Sequence, residues 1–194
     1  MYYLLRYAIS YEIHHEKDFF SNCANFFIVL ANKNNLIATD GASEQGITQD
    51  DFLEFAKSWF DTISNGCEPH KQAEFFMLSA DAKLYLLQNG EALDLYQHYE
   101  FHKKLKGEKF YLKGTPIIKQ IRVDPLCVQV SCIISWTAEL LGSTIENPKR
   151  ITSLAGEDWI IRKDKNGTMK FVVLMNKYHQ LLPGSCQLPK ISSP

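Results

Sequence analysis

A chain of 194 residues, 45% hydrophobic and 22% charged, is long enough to bury a full core as one domain, and its composition argues against extended disorder. The formal net charge of -1 argues against general attraction to nucleic acid or to an anionic membrane surface. Five cysteines, Cys23, Cys67, Cys127, Cys132 and Cys186, are odd in number and contain no Cys-x-x-Cys pair. They make a poor disulfide framework and a poor zinc site, which suits packing residues in a reducing cytoplasm. The sequence also shows no secretory leader and no stretch approaching the roughly 20 apolar residues that span a bilayer.

Residues 1 to 46 differ in texture from the rest. They open with Tyr2, Tyr3, Tyr7 and Tyr11, continue through His14 and His15, and predict a helix from about Asp18 to Asn32 before a polar stretch, Asp40 to Gly46. This segment reads as an extension that docks on a domain formed by residues 47 to 194. Thr48 followed by Asp51 resembles a capping box. It opens a segment in which Phe52, Phe55, Ala56, Trp59, Phe60 and Ile63 recur at helical spacing, and Asn65-Gly66 ends it. A second short helix is predicted from Pro69, carrying Ala73, Phe76 and Met77 inward until Ser79-Ala80-Asp81 breaks it.

Leu84 to Gln88 and Ala92 to Leu95 flank Asn89-Gly90, a turn dipeptide, and predict a hairpin. A third short helix is expected over Gln97 to Leu105. Strands follow over Phe110–Val123, Leu126–Leu141, Ile151–Lys163 and Thr168–Lys177, with the last two joined at Asn166-Gly167. In the second of these, Val128, Val130, Cys132, Ile134, Trp136, Ala138 and Leu140 alternate with Gln129, Ser131, Ile133, Ser135, Thr137 and Glu139, which predicts one core face and one polar face. Helices followed by a mostly antiparallel sheet indicate an α+β fold.

The helix ending in Ser64-Asn65-Gly66, the segment Leu78-Ser79-Ala80-Asp81-Ala82-Lys83-Leu84 and the closing hairpin with Glu157-Asp158-Trp159-Ile160-Ile161-Arg162, Asn166-Gly167 and Met169-Lys170-Phe171 resemble the nuclear-transport-factor-2-like superfamily, in its SnoaL-like and ketosteroid-isomerase-like sense. The resemblance covers about residues 47 to 177. It implies a cone-shaped, strongly curved, mostly antiparallel sheet wrapped around about three helices, with a pocket at the open end and dimerisation through the sheet. The superfamily holds isomerases, dehydratases, epoxide hydrolases and cyclases beside non-catalytic modules, so the fold alone leaves the activity open.

The residues most suited to chemistry are His98 and His102. Spacing of four places them on one helix face, and a helix reaching back to Asp94 would add a carboxylate that orients an imidazole for proton transfer. Tyr96 is a second orienting candidate. His98-Tyr99-Glu100-Phe101-His102 has its Glu one position later than the His-Glu-x-x-His zinc motif and no clear third ligand, so no metal is expected. Trp59, Tyr85, Trp136, Trp159 and Tyr178, with His179, are candidate pocket walls and equally ordinary core residues. No phosphate loop, dinucleotide fingerprint or Gly-x-Ser-x-Gly is present. The expected function is therefore binding of a small apolar or aromatic molecule, with acid/base catalysis of isomerase or dehydratase type and no cofactor. The rival is a non-catalytic interaction or dimerisation module.

Overall fold

The computed structural model describes residues 46–189. The helix expected near Asp18 to Asn32 and Cys23 lie outside them. The first helix, α1 (Gln49–Ser64), starts where the sequence places it. Thr48 Oγ1 accepts from the Asp51 backbone N–H, and the Asp51 carboxylate accepts from the Thr48 N–H, so two of the donors that a helix start leaves unpaired are satisfied. All six apolar residues of the predicted stripe are buried.

After α1 come α2 (Pro69–Ala73), a single 3₁₀ turn (Ser79–Asp81), the hairpin β1 (Lys83–Leu86) and β2 (Glu91–Asp94), and α3 (Leu95–His102). The hairpin closes with Leu86 opposite Glu91, so Leu87, Gln88, Asn89 and Gly90 form its loop where a two-residue turn was expected. Beyond α3 run β3 (Leu105–Leu112), β4 (Ile117–Gln120), β5 (Cys127–Leu140), β6 (Arg150–Lys163) and β7 (Met169–Leu181). The strand expected over Phe110–Val123 is two shorter ones, β3 and β4, that follow each other along one side of β5. Gly114 and Pro116 fall in the break.

The seven strands form one sheet in the order β2-β1-β7-β6-β5-β3, with β4 also on β5. All pairings are antiparallel except β1 with β7. The sheet is strongly curved and the helices pack on its concave side, an α+β cone. Three irregularities in strand pairing contribute to the bend. In β3 the register slips between Lys106 and Lys109, with Gly107 at a φ of 61°. In β7 it slips at Lys177 and again at Val172.

The core is an aromatic wedge from α1 pressed into the sheet. Phe55 meets Phe171 at 4.8 Å between ring centroids, Phe52 meets Trp159 at 5.4 Å, and Trp159 meets Phe171 at 5.2 Å. Phe52, Trp159 and Phe171 are fully buried, each contributing on the order of 2–3 kcal/mol from removal of apolar surface from water. The alternation on β5 is as expected: Val128 through Ala138 are buried at every second position. The convex side carries a smaller cluster of Cys127, Ile160 and Val173, packed by Tyr85 and Met175.

On that convex side the Tyr178 ring lies on Gly156, where a Cβ would come within 2.1 Å of a ring atom. Glycine at this position makes room for the aromatic side chain. No helix among the described residues is long and apolar enough to cross a membrane.

Phe171 touches Phe55, Trp59, Phe76 and Trp159 at once. Replacing it with alanine is expected to lower unfolding stability by about 3–5 kcal/mol, read as a fall in urea midpoint at unchanged slope.

Candidate functional site

The α1 wedge fills only part of the cone. A cavity of about 790 Å³ remains, lined by Trp59, Phe60 and Ile63 of α1, Leu84 and Leu86 of β1, Leu93 of β2, His98, Phe101 and His102 of α3, Phe110 of β3, Ile134 and Trp136 of β5, Ala155 and Glu157 of β6, and Leu174, Asn176 and His179 of β7. The loop residues Gln88 and Asn89, with Glu91, complete one side, and Gln187, Leu188 and Pro189 another.

Behind the histidines runs a buried chain of hydrogen bonds whose direction is set by one amide. Gln72, on α2, donates Nε2–H to the backbone carbonyls of Cys67 and Leu95, the second at 3.3 Å. Its Oε1 therefore faces His98, which must donate Nδ1–H to it, at 2.8 Å. Burial, and then the neighbouring His102, hold the His98 pKa well below its usual value, so this ring is neutral and its Nε2 is an acceptor. His102 donates Nε2–H to that atom at 2.9 Å. Burial lowers the His102 pKa to about 3, which leaves its Nδ1 bare.

The next group is Glu108 Oε2, 2.6 Å from His102 Nδ1. Burial raises the Glu108 pKa to about 8 against a weaker opposing effect of the Trp136 indole, which donates to the same oxygen at 3.2 Å. Glu108 thus carries the proton and donates it to His102. The contact is a hydrogen bond between neutral partners, both side chains being only 7% exposed, and not an ion pair. Every bond in the chain is consistent with the next, and no buried side-chain nitrogen or oxygen among the described residues lacks a partner.

Glu108 lies at the bulge in β3. Gly107 and Glu108 together oppose one residue of β5, and the extra residue brings Leu105 to the same side as Glu108, Phe110 and Leu112. Asp94, the carboxylate expected to orient a histidine, instead caps α3, accepting from the Gln97 N–H at 2.7 Å while Gln97 Oε1 accepts from the Asp94 N–H. Tyr96 is 62% exposed. Neither lines the cavity.

Of the expected walls, Trp59, Trp136 and His179 line the cavity. Trp159 is buried in the wedge beneath it, Tyr85 packs on the convex side, and Tyr178 lies over Gly156, so these three are not wall residues. The slips in β7 explain the last case. They put Asn176 and His179 inside, across a three-residue interval, and leave Tyr178 outside.

Glu157 on β6 is an acidic group of the cavity wall that the sequence reading passed over as a site residue. It is partly accessible from the cavity. Trp159 donates Nε1–H to its Oε2 at 2.6 Å and Asn176 donates Nδ2–H to its Oε1 at 3.2 Å. Burial nevertheless outweighs both donors and raises its pKa to about 7. On the same wall His179, kept neutral by burial, pairs through Nε2 with Ser153 Oγ at 2.8 Å. A glutamate two residues before a buried tryptophan on one strand was a signal the sequence contained, because both must share a face.

Cys67, His98 and His102 are the group among the described residues that could hold a metal ion, with one ligand atom from each within 4.8 Å of the others. Binding there would break the His98–His102 hydrogen bond and would ionise a thiol whose pKa burial pushes up. The hydrogen-bond chain engages the two histidines, and the Cys67 thiol sulfur lies 3.4 Å from His98 Nδ1.

No protein-family model and no curated protein matches the sequence. Solved structures do match in fold. A nuclear transport factor 2-like superfamily protein from Salmonella enterica serovar Typhimurium superposes with a TM-score of 0.52 at 12% identity, over 66% of this chain and 89% of that one. The hexachlorocyclohexane dehydrochlorinase of Novosphingobium barchaimii gives 0.50 at 12% identity, over 72% and 92%. A protein from Exiguobacterium sibiricum, provisionally assigned as a calcium/calmodulin-dependent kinase II association domain, gives 0.52 at 8%, over 76% and 100%. The chain has the nuclear-transport-factor-2-like fold expected from its sequence.

Glu108 supplies a pH signature. Its proton stays bound in the folded chain up to about pH 8 but in the unfolded chain only to its ordinary 4.5. Its contribution to stability is complete below the unfolded value and is lost as pH rises through the folded one, at up to about 1.4 kcal/mol per pH unit. Glu108→Gln is therefore expected to be about 1 kcal/mol less stable than wild type near pH 4, through loss of the Trp136 bond, and the more stable of the two near pH 8. Urea midpoints at the two pH values check the crossing.

Proposed function

We propose that the protein binds a small, largely apolar or aromatic molecule in the cone and exchanges a proton with it through Glu157, in an isomerisation or elimination that needs no cofactor. The observation that carries this reading is a carboxyl group of pKa about 7 in the wall of a cavity otherwise built mainly from apolar and aromatic side chains. A group with that pKa is present near neutrality in both forms, so it can take a proton in one step and return it in another.

In an isomerisation, the Glu157 carboxylate would remove a proton from carbon, the freed electron pair would shift along the conjugated frame, and the same proton would return at another carbon. In an elimination, that electron pair would form the new double bond as the leaving group departs. Trp159 and Asn176 fix the carboxyl so that its remaining lone pairs are available to the bound molecule. His98 and His102, the acid/base candidates of the sequence, have all four ring nitrogens engaged with each other, Gln72 and Glu108. In this reading they form a rigid neutral wall, with Glu108 in the orienting position foreseen for Asp94 or Tyr96. The dehydrochlorinase among the similar structures is an enzyme by its name, which supports catalysis as a use of this fold.

A second reading has one specific observation in its favour. The convex side exposes Ile133, Tyr111 and Tyr178, the kind of surface through which two sheets could associate as a homodimer. Sedimentation equilibrium giving twice the chain mass, abolished by Ile133→Glu, would support that assembly.

The catalytic reading is tested by Glu157→Gln. Screening isomerase and dehydratase substrates should find turnover that rises with pH to a plateau above about 7 and falls about 10²–10⁴-fold in the variant, with the thermal transition preserved. Unchanged turnover in a folded Glu157→Gln protein would remove Glu157 from the mechanism.

A further inference from the structure

The polar groups of the cavity are unbalanced in sign and in hydrogen-bonding sense. The charged residues in its lining are Glu91 on β2 and Glu157 on β6; the other titratable ones are His98 and His102 on α3 and His179 on β7. No lysine or arginine occurs among the described residues that line it. All three imidazoles are kept neutral by burial. A carboxylate, phosphate or sulfate entering this space would lose its water and meet no cation in exchange.

Around Glu157 the wall offers acceptors. Each Glu157 oxygen takes one hydrogen bond, from Trp159 or from Asn176, and keeps lone-pair capacity. Asn176 has turned its amide donor to Glu157 and so retains Oδ1 as an acceptor. Trp136 is engaged with Glu108, and His98 and His102 within their chain, while the side-chain amides of Gln88 and Gln187 are donors on the loop and C-terminal sides of the lining, on other segments than Glu157. At Glu157 and at Asn176 Oδ1 it is the bound molecule that has to bring the hydrogen. Trp59, Trp136 and Phe101 add aromatic surface in the same cavity, which favours a flat frame and attracts a cation over a ring face.

We propose that the ligand class of this cavity is an amine on a flat apolar frame, bound as the ammonium through N–H donation to Glu157 and Asn176, and that anionic molecules are rejected. This rests on the reading of the cavity as a ligand site.

The test is a matched series of one frame and three polar groups, benzylamine, benzyl alcohol and benzoate, titrated at neutral pH against the full chain. The Trp159 indole N–H, bonded directly to Glu157, provides an NMR reporter at the site. Benzylamine should bind about tenfold or more tightly than benzyl alcohol, a difference typical of one charge-assisted contact, and benzoate should shift nothing. In Glu157→Gln the preference for the amine should vanish while the alcohol keeps its affinity. If benzyl alcohol binds and benzylamine binds no better, or if benzoate binds as well as either, the amine assignment is wrong and the cavity is still a ligand site. If none of the three binds, both readings fall. The wild-type series alone decides between these outcomes should the variant fold poorly.

Discussion

A strongly curved sheet has a concave face that must be covered, and one helix cannot cover all of it. Here the covering is done by the aromatic edge of α1, where Phe52, Phe55 and Trp59 reach Trp159 and Phe171. That wedge occupies part of the cone and leaves the rest open beyond Trp59 and Phe60. The curvature and the site share an origin. The extra residues that bend β3 and β7 also invert which side chains face inward, and in doing so they bring Leu105, Asn176 and His179 to the concave side.

Two buried carboxyl groups in one small cone acquire different characters from their partners. Glu108 meets a bare imidazole nitrogen and has somewhere to place its proton, so the neutral acid completes a chain that ends at the Gln72 amide. Glu157 meets only donors, an indole and an amide, which favour the carboxylate against the desolvation that opposes it. The first is a closed structural unit whose direction is fixed by two backbone carbonyls at its far end. The second is left in balance at the cavity wall, and this contrast separates a scaffold element from a reactive one.

Local features were legible in the sequence because they depend on neighbours along the chain. The Thr48–Asp51 cap, the α1 stripe, the alternation of β5 and the pairing of His98 with His102 all follow from helical or strand periodicity alone. The partners of those histidines were not legible. Gln72 and Glu108 come from other elements, and Glu108 shares the inward face of Phe110 and Leu112, to which the bulge after Lys106 also brings Leu105. Asp94 shows the opposite failure: a strand-to-helix junction made it a cap, although helical spacing would have placed it beside His98. Tyr178 was misplaced by a slip in β7 that exchanges inside for outside, whereas Tyr85 faces outward by plain alternation between the inward Leu84 and Leu86. Trp159 faces inward as an aromatic residue should, but the wedge covers it.

The parallel pairing of β1 with β7 carries a consequence for the order in which the molecule is made. Leu84 lies beside Leu174, and β7 is the strand that joins the β1–β2 hairpin to the rest of the sheet. During synthesis the hairpin and α1 leave the ribosome well before that strand exists. Until residues 169–181 emerge, the apolar edge of α1 has no Phe171 to close on, and one edge of β1 is unpaired. The core therefore cannot condense progressively from its N-terminal side; it forms late, when the last strand inserts between two partners already waiting. A fold closed in this way has high contact order, and its nascent form depends on protection of exposed aromatic surface during elongation.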